Sequence, residues 1–171
     1  MSAPAPEVMR PLVGWATPVS AIVLAAWIGA TLYFSVVVTR AAFAVLPTRT
    51  LAGTLVGQTL PVLFDSGMLA GAILVCTALL SRGGGGRTAS LVGGIVIFVL
   101  TALARFVILA RIAHLRASMP AVIDSLPVTD PSRRAFGQLH AMSVGALGLA
   151  MLAGLVVLIV LVHTLSAAAH D

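Results

Sequence analysis

Two charged residues lie where a lipid bilayer would resist them most. Asp65 interrupts an otherwise uncharged stretch over residues 50–81, and Arg105 closes an uncharged stretch over 88–104. At 1.5 Å per helical residue, Asp65 is 17 residues, about 25 Å, from Arg82, and Arg105 is 18 residues, about 27 Å, from Arg87. Opposite charges at one height in adjacent antiparallel helices are natural partners. Pairing offsets a placement cost of order 3 kcal/mol for each charge. His140, six residues past Arg134, belongs to the same layer, and Arg40 completes it from the first apolar segment. Arg40, Asp65, Arg105 and His140 thus form one candidate polar cluster. It suits two kinds of chemistry: an ion-pair and hydrogen-bond latch that fixes helix register, or a proton or anion site opening toward the cytoplasm, since imidazole and carboxylate groups exchange protons. The residues alone leave both open.

Other chemistries find too few ligands. A haem held by two histidines needs facing imidazoles at one depth, whereas His140 and His163 are 23 residues, about 35 Å, apart on one helix. His114 can approach His140 only from beyond the hydrocarbon. Zinc needs three or four clustered ligands, and only His140, Asp65 and His114 are on offer. Cys76 is the single cysteine, so no disulfide forms within the chain. Ser143 follows His140 by one turn without an acid or oxyanion partner. The glycine run 83–86 lacks the first glycine and the Lys-Ser/Thr pair of a phosphate loop; Ser81 and Arg87-Thr88 stand there instead. The expectation is a non-enzymatic protein with no catalytic residue, metal or cofactor.

The elements that position these residues follow from hydropathy. Hydrophobic residues are 60% of the 171-residue chain and charged residues 9%, with a mean hydropathy of +1.12. Residues 11–39, 88–104 and 135–170 contain no Asp, Glu, Lys or Arg. A helix needs about 20 apolar residues to cross a hydrocarbon core of roughly 30 Å. The expected fold is all-α, an integral membrane four-helix bundle forming a single domain over 1–171. Its helices are predicted at about 18–45, 48–81, 88–118 and 131–164, behind a disordered tail at 1–10. Pro47 ends the first helix, Trp15 anchors its start at the interface, and Pro61 kinks the second. Residues 82–87 form a flexible glycine loop. Asp130-Pro131 reads as an N-cap with proline at the first helical position. The first apolar run is too long for a signal peptide and reads as a retained helix.

Helices of this length overrun the bilayer, and the excess gathers at one end. That end carries Arg40, Arg49, Arg105, Arg111, Arg116, Arg133 and Arg134, against Arg10, Arg82 and Arg87 at the other. The positive-inside rule places the arginine-rich end in the cytoplasm and both termini outside, in a bacterial inner (cytoplasmic) membrane. The net charge of +5 is spread over helix ends, which points to lipid headgroups and not to nucleic acid. Small residues four apart suggest close helix packing at Gly29, Gly67, Gly71 and Gly154.

Three segments carry a resemblance. They are Ala26-Trp27-Ile28-Gly29 with Tyr33-Phe34 and Leu46-Pro47; Ala52-Gly53 with Gly57, Leu60-Pro61 and Gly67; and Phe136-Gly137-Gln138-Leu139-His140 with Ser143. In order and spacing they resemble the transmembrane protein 205-like family of small four-helix membrane proteins, a domain of unknown function. The resemblance implies the fold and little chemistry. Ser20-Ala21-Ile22 lacks a histidine that family members often carry before the Trp-x-Gly, and Gly145-Ala146-Leu147 lacks an amide common after the serine. Copper-resistance membrane domains are distantly similar around the first motif, and the missing histidine argues against copper. The leading expectation is a non-enzymatic membrane protein whose polar cluster is structural. The alternatives are an accessory subunit of a respiratory or photosynthetic membrane complex and a small proton-linked transporter or channel.

Overall fold

The computed structural model describes residues 10–81, 85–118, 126–127 and 129–169. Helix α1 covers 10–45 as Arg10–Tyr33, a widened π turn at Phe34–Val38 and a last stretch at Thr39–Val45. Helix α2 is Arg49–Leu80. Helix α3 covers 85–117 as Gly85–Leu103, a π turn at Ala104–Ile108 and Leu109–Ala117. Helix α4 is Pro131–Ala168. There is no strand among the described residues.

The helix ends have local causes. The Thr48 hydroxyl caps α2 by accepting from the Leu51 N–H at 3.2 Å. At α4 the Asp130 carboxylate accepts from the Ser132 N–H at 2.7 Å, with Pro131 in the first turn. Two starts differ from the sequence expectation. Helix α1 begins at Arg10 and not near Pro18, because Pro11 sits in the first turn, where its missing N–H is not needed, and Pro18 is taken into the interior. Helix α3 begins at Gly85 and not at Thr88: Gly86 packs against Leu161 and Thr164 of α4, which holds it in the helix. The tail at 1–9, residues 82–84 of the expected glycine loop and most of the 119–128 connection lie outside the described residues. Helix α2 runs through Pro61 without a break, and α4 continues to Ala168.

Each helix packs on its sequence neighbours, and α1 closes the ring on α4; α2 and α3 share the largest interface. One apolar core runs through the ring and includes Leu24, Trp27, Phe64, Leu74, Ile97 and Leu161. Outside it, Leu32, Val62, Leu69, Leu152 and Ile159 are all about half or more exposed. An outer surface this apolar suits a lipid solvent. All four helices are long and apolar enough to cross a membrane.

Glycine sets the close approaches. A Cβ on Gly71 would lie 2.7 Å from the Gly94 carbonyl oxygen, and one on Gly94 would lie 2.9 Å from that of Gly71. A Cβ on Gly67 would meet Thr101 Cγ2 at 2.6 Å and Trp27 at 3.0 Å, one on Gly154 would meet Ile28 at 3.3 Å, and one on Gly93 would collide with Val157. Gly67, Gly71 and Gly154 are therefore interface glycines. Gly29 is not: nothing lies within 4 Å of its Cβ position, because the buried stripe of α1 runs through Leu24, Trp27 and Thr31 and leaves residue 29 on the outer face.

Candidate functional site

Helices α2 and α3 stay together from Gly71 and Gly94 to Asp65 and Arg105, then part. Beyond Ile108, the Leu109–Ala117 stretch packs on α4 and hardly on α2. The parting opens a cleft of about 820 Å³ at the arginine-rich end. Helix α1 contributes Thr39 and Phe43, α4 contributes Phe136 and His140, and facing stretches of α2 and α3 form the long walls.

At the inner end of the cleft, Arg105 Nε donates to Asp65 Oδ1 at 2.9 Å, bridging α3 and α2. The pair is not sealed in the core: the side chains are 33% and 50% exposed, respectively. Arg105 also lies 5.5 Å from the Phe106 ring centroid. The π turn around these residues adds one residue to the helical repeat and so re-aims the side chains that follow; such turns concentrate at working sites. A second π turn in α1 ends at Thr39, which also lines the cleft, and there the Thr39 hydroxyl donates to the Phe34 carbonyl at 3.1 Å.

Nearer the mouth, Arg116 crosses from α3. Its guanidinium carbon is 5.1 Å from the centre of the Phe136 ring on α4. Its Nη1 lies 3.6 Å from where a Cβ on Gly57 of α2 would stand. Arg49, at the start of α2, faces the same space. Among the described residues the lining contains no Asp or Glu. Arg105 has a carboxylate partner, whereas no ion pair engages Arg49 or Arg116 among the described residues. Among the described residues, then, two arginines without an ion-pair partner and one with a partner stand between largely apolar walls.

Of the four residues expected to cluster, two meet directly and a third lies near them. Asp65 and Arg105 form the ion pair; His140 lines the same cleft, exposed, its ring stacked on Phe136 at 6.3 Å between centroids. Arg40 does not join. Thr39 faces the cleft, and the next residue is turned about 100° around the helix, leaving Arg40 exposed outside it. Ser143 donates to the backbone carbonyl of His140 at 2.8 Å and not to its ring. No group of three His, Cys, Asp or Glu side chains among the described residues is placed to hold a metal ion.

Sequence reasoning missed two things. The sequence reads Arg49 and Arg116 as topology signals and lipid-headgroup contacts and does not bring them together in a cleft; the missed signal is Gly57 on α2, where the missing side chain leaves room for Arg116. The second is a hydroxyl cluster at the opposite end, where Ser20 Oγ and Thr77 Oγ1 are 2.7 Å apart and Ser90 is buried beside a pocket of about 110 Å³. Ser20, Leu24, Trp27 and Thr31 repeat at helical spacing and would have marked Ser20 as inward-facing. There the stretch that lacks the expected histidine holds a serine bonded to α2.

The fold and the cleft define a four-helix bundle of integral-membrane type with a basic cleft at one end. Residues 22–121 match the family described as Domain of unknown function (DUF4149), and the chain belongs to that family. The match takes in most of α1, all of α2 and α3, and stops before α4. No curated protein and no solved structure matches the chain.

Proposed function

We propose that this is a non-enzymatic integral membrane protein that binds a ligand in the cleft between α2 and α3 and does not pass one across the bilayer. The observation that carries the reading is the cleft, with three arginines and, among the described residues, no carboxylate on walls that are otherwise largely apolar. Small-molecule sites have this character, within a range of about 300–1,000 Å³. A transport route requires polar groups along the whole axis. Here Leu24, Leu74, Ile97 and Leu161 fill the middle and far half with no exposure above 1%, which argues for a closed end. The hydrogen bond from Ser143 to a backbone carbonyl likewise argues against a serine nucleophile.

The Asp65–Arg105 pair, in this reading, is the structural part of the site and clasps α2 to α3 where they diverge. Seven of the ten arginines are at the cleft end, which supports a cleft facing the cytoplasm in a bacterial inner membrane, with both termini outside. A second reading, an accessory subunit of a larger membrane complex, is favoured by Gly137, Gly145 and Gly148, which share one outer face of α4 and have nothing within 4 Å of their Cβ positions. That face admits the close approach of another helix.

Reconstitution into liposomes carrying a pH gradient tests the leading reading. The gradient should persist as in empty vesicles. Dissipation by the wild type that disappears in Asp65→Asn would replace the binding protein with a proton-linked transporter.

A further inference from the structure

Resting on the reading of the cleft as a binding site, we infer that its ligand is an anionic phospholipid, with the phosphate held between Arg49 and Arg116 and an acyl chain laid along the apolar wall. Depth comes first. Counted from Arg87 at 1.5 Å per residue, a hydrocarbon core of about 30 Å ends roughly 20 residues along α3, close to Arg105. Arg116 is 11 residues, about 16 Å, further on. The cleft therefore begins at the edge of the hydrocarbon and reaches through the headgroup layer. That is where a lipid phosphate resides.

Charge comes second. Among the described residues, Arg49 and Arg116 lack carboxylate partners and the lining supplies no acid. Arg116 is already positioned, held against Phe136 and over Gly57, so little freedom is lost when it meets an anion. Basic pockets between membrane helices on the cytoplasmic side are suited to anionic headgroups.

The apolar walls select the lipid over a free anion. Leu60, Leu109 and Ile112 line the cleft, as do Phe43 and Phe106, which stay about half or more exposed. A small hydrated phosphate gains nothing from these walls. An acyl chain entering sideways from the bilayer does.

The experiment is native mass spectrometry of the delipidated full chain in detergent, titrated separately with phosphatidylglycerol, phosphatidylcholine and inorganic phosphate. Phosphatidylglycerol should bind in preference to phosphatidylcholine, and inorganic phosphate should neither bind nor displace it. Arg49→Gln and Arg116→Gln should each weaken phosphatidylglycerol binding about fivefold, from roughly 1 kcal/mol per arginine near the surface. Arg40→Gln removes the same charge outside the cleft and should leave binding within twofold. Gly53→Phe adds a ring to the cleft lining without removing a charge, in space left open around the Gly53 Cβ position, and it should also weaken binding. Helix content by circular dichroism checks that each variant is folded. Equal binding of the two lipids, an Arg40→Gln loss as large as that of Arg116→Gln, or unchanged binding in Gly53→Phe would overturn the inference. Binding of inorganic phosphate alone would make the ligand a free anion and overturn it too. None of these results depends on flux, so the lipid assignment and the non-conducting reading fail separately.

Discussion

Gly71→Ala places a methyl group into a contact walled mainly by the backbone of the facing helix. The new Cβ would lie 2.7 Å from the Gly94 carbonyl oxygen, 2.9 Å from the Phe98 backbone nitrogen and 3.0 Å from the Phe98 Cβ. Ordinary contact begins near 3.4 Å, so α2 and α3 must separate locally by about 0.7 Å. Two of the three opposing atoms are backbone and cannot swing aside. Overpacking of this kind costs about 1–3 kcal/mol, against a helix-propensity gain of about 1 kcal/mol for replacing glycine by alanine. The net expectation is a loss of up to about 2 kcal/mol. Gly94→Ala should cost a similar amount, because its Cβ meets the Gly71 oxygen and the Leu74 Cβ, both at 2.9 Å. The two changes relax into the same gap, so the double variant should cost less than their sum. Gly148→Ala is the control: its Cβ meets nothing within 4 Å, and it should be neutral or stabilising. Equilibrium unfolding in mixed micelles, followed by circular dichroism, gives all four values. Gly71→Ala as stable as Gly148→Ala would refute the close approach of α2 and α3.

Three further outcomes follow from the same geometry. Asp65→Asn and Arg105→Gln should each destabilise the bundle, and the double variant by less than the sum, with a coupling of about 1 kcal/mol in keeping with a partly exposed pair; strict additivity in the unfolding cycle would show that the ion pair does not clasp the helices. Trp27→Ala should lose about 3–5 kcal/mol in the same assay, because the indole fills the space between Gly67 and Gly154 and its Nε1 donates to the Leu63 carbonyl at 3.5 Å. His140→Phe should change stability little, since the imidazole is exposed and makes a ring contact that phenylalanine can reproduce.

Hydropathy made the helices legible because a membrane segment must be apolar on every face, and no partner is needed to see that. Depth was also legible: counting from Arg82 and Arg87 put Asp65 and Arg105 at one height, and the structure joins them. Direction around the helix was not. Arg40 was assigned to the cluster by height, yet it points away, and Gly29 was assigned to an interface by spacing, yet it faces outward. Uniformly apolar helices carry almost no moment to show which face is inside. Two π turns add a residue to α1 and α3 at the depth where facing matters most. The cleft depends on helices diverging, a tertiary event, and so Arg49 and Arg116 read as surface charges until α2 and α3 were seen to part.

The proposed arrangement is a chain that crosses the membrane four times and turns its basic cleft to the cytoplasm. Single cysteines at Gly85 and Ser118, in a Cys76→Ala background, test it with a membrane-impermeant maleimide on intact and permeabilised cells. These positions are at opposite ends of α3, with Ser118 just past Ala117 at the cleft end. Residue 85 should label in intact cells and residue 118 only after permeabilisation. Labelling of residue 118 in intact cells would put the cleft outside the cytoplasm, and labelling of both would contradict the crossing itself.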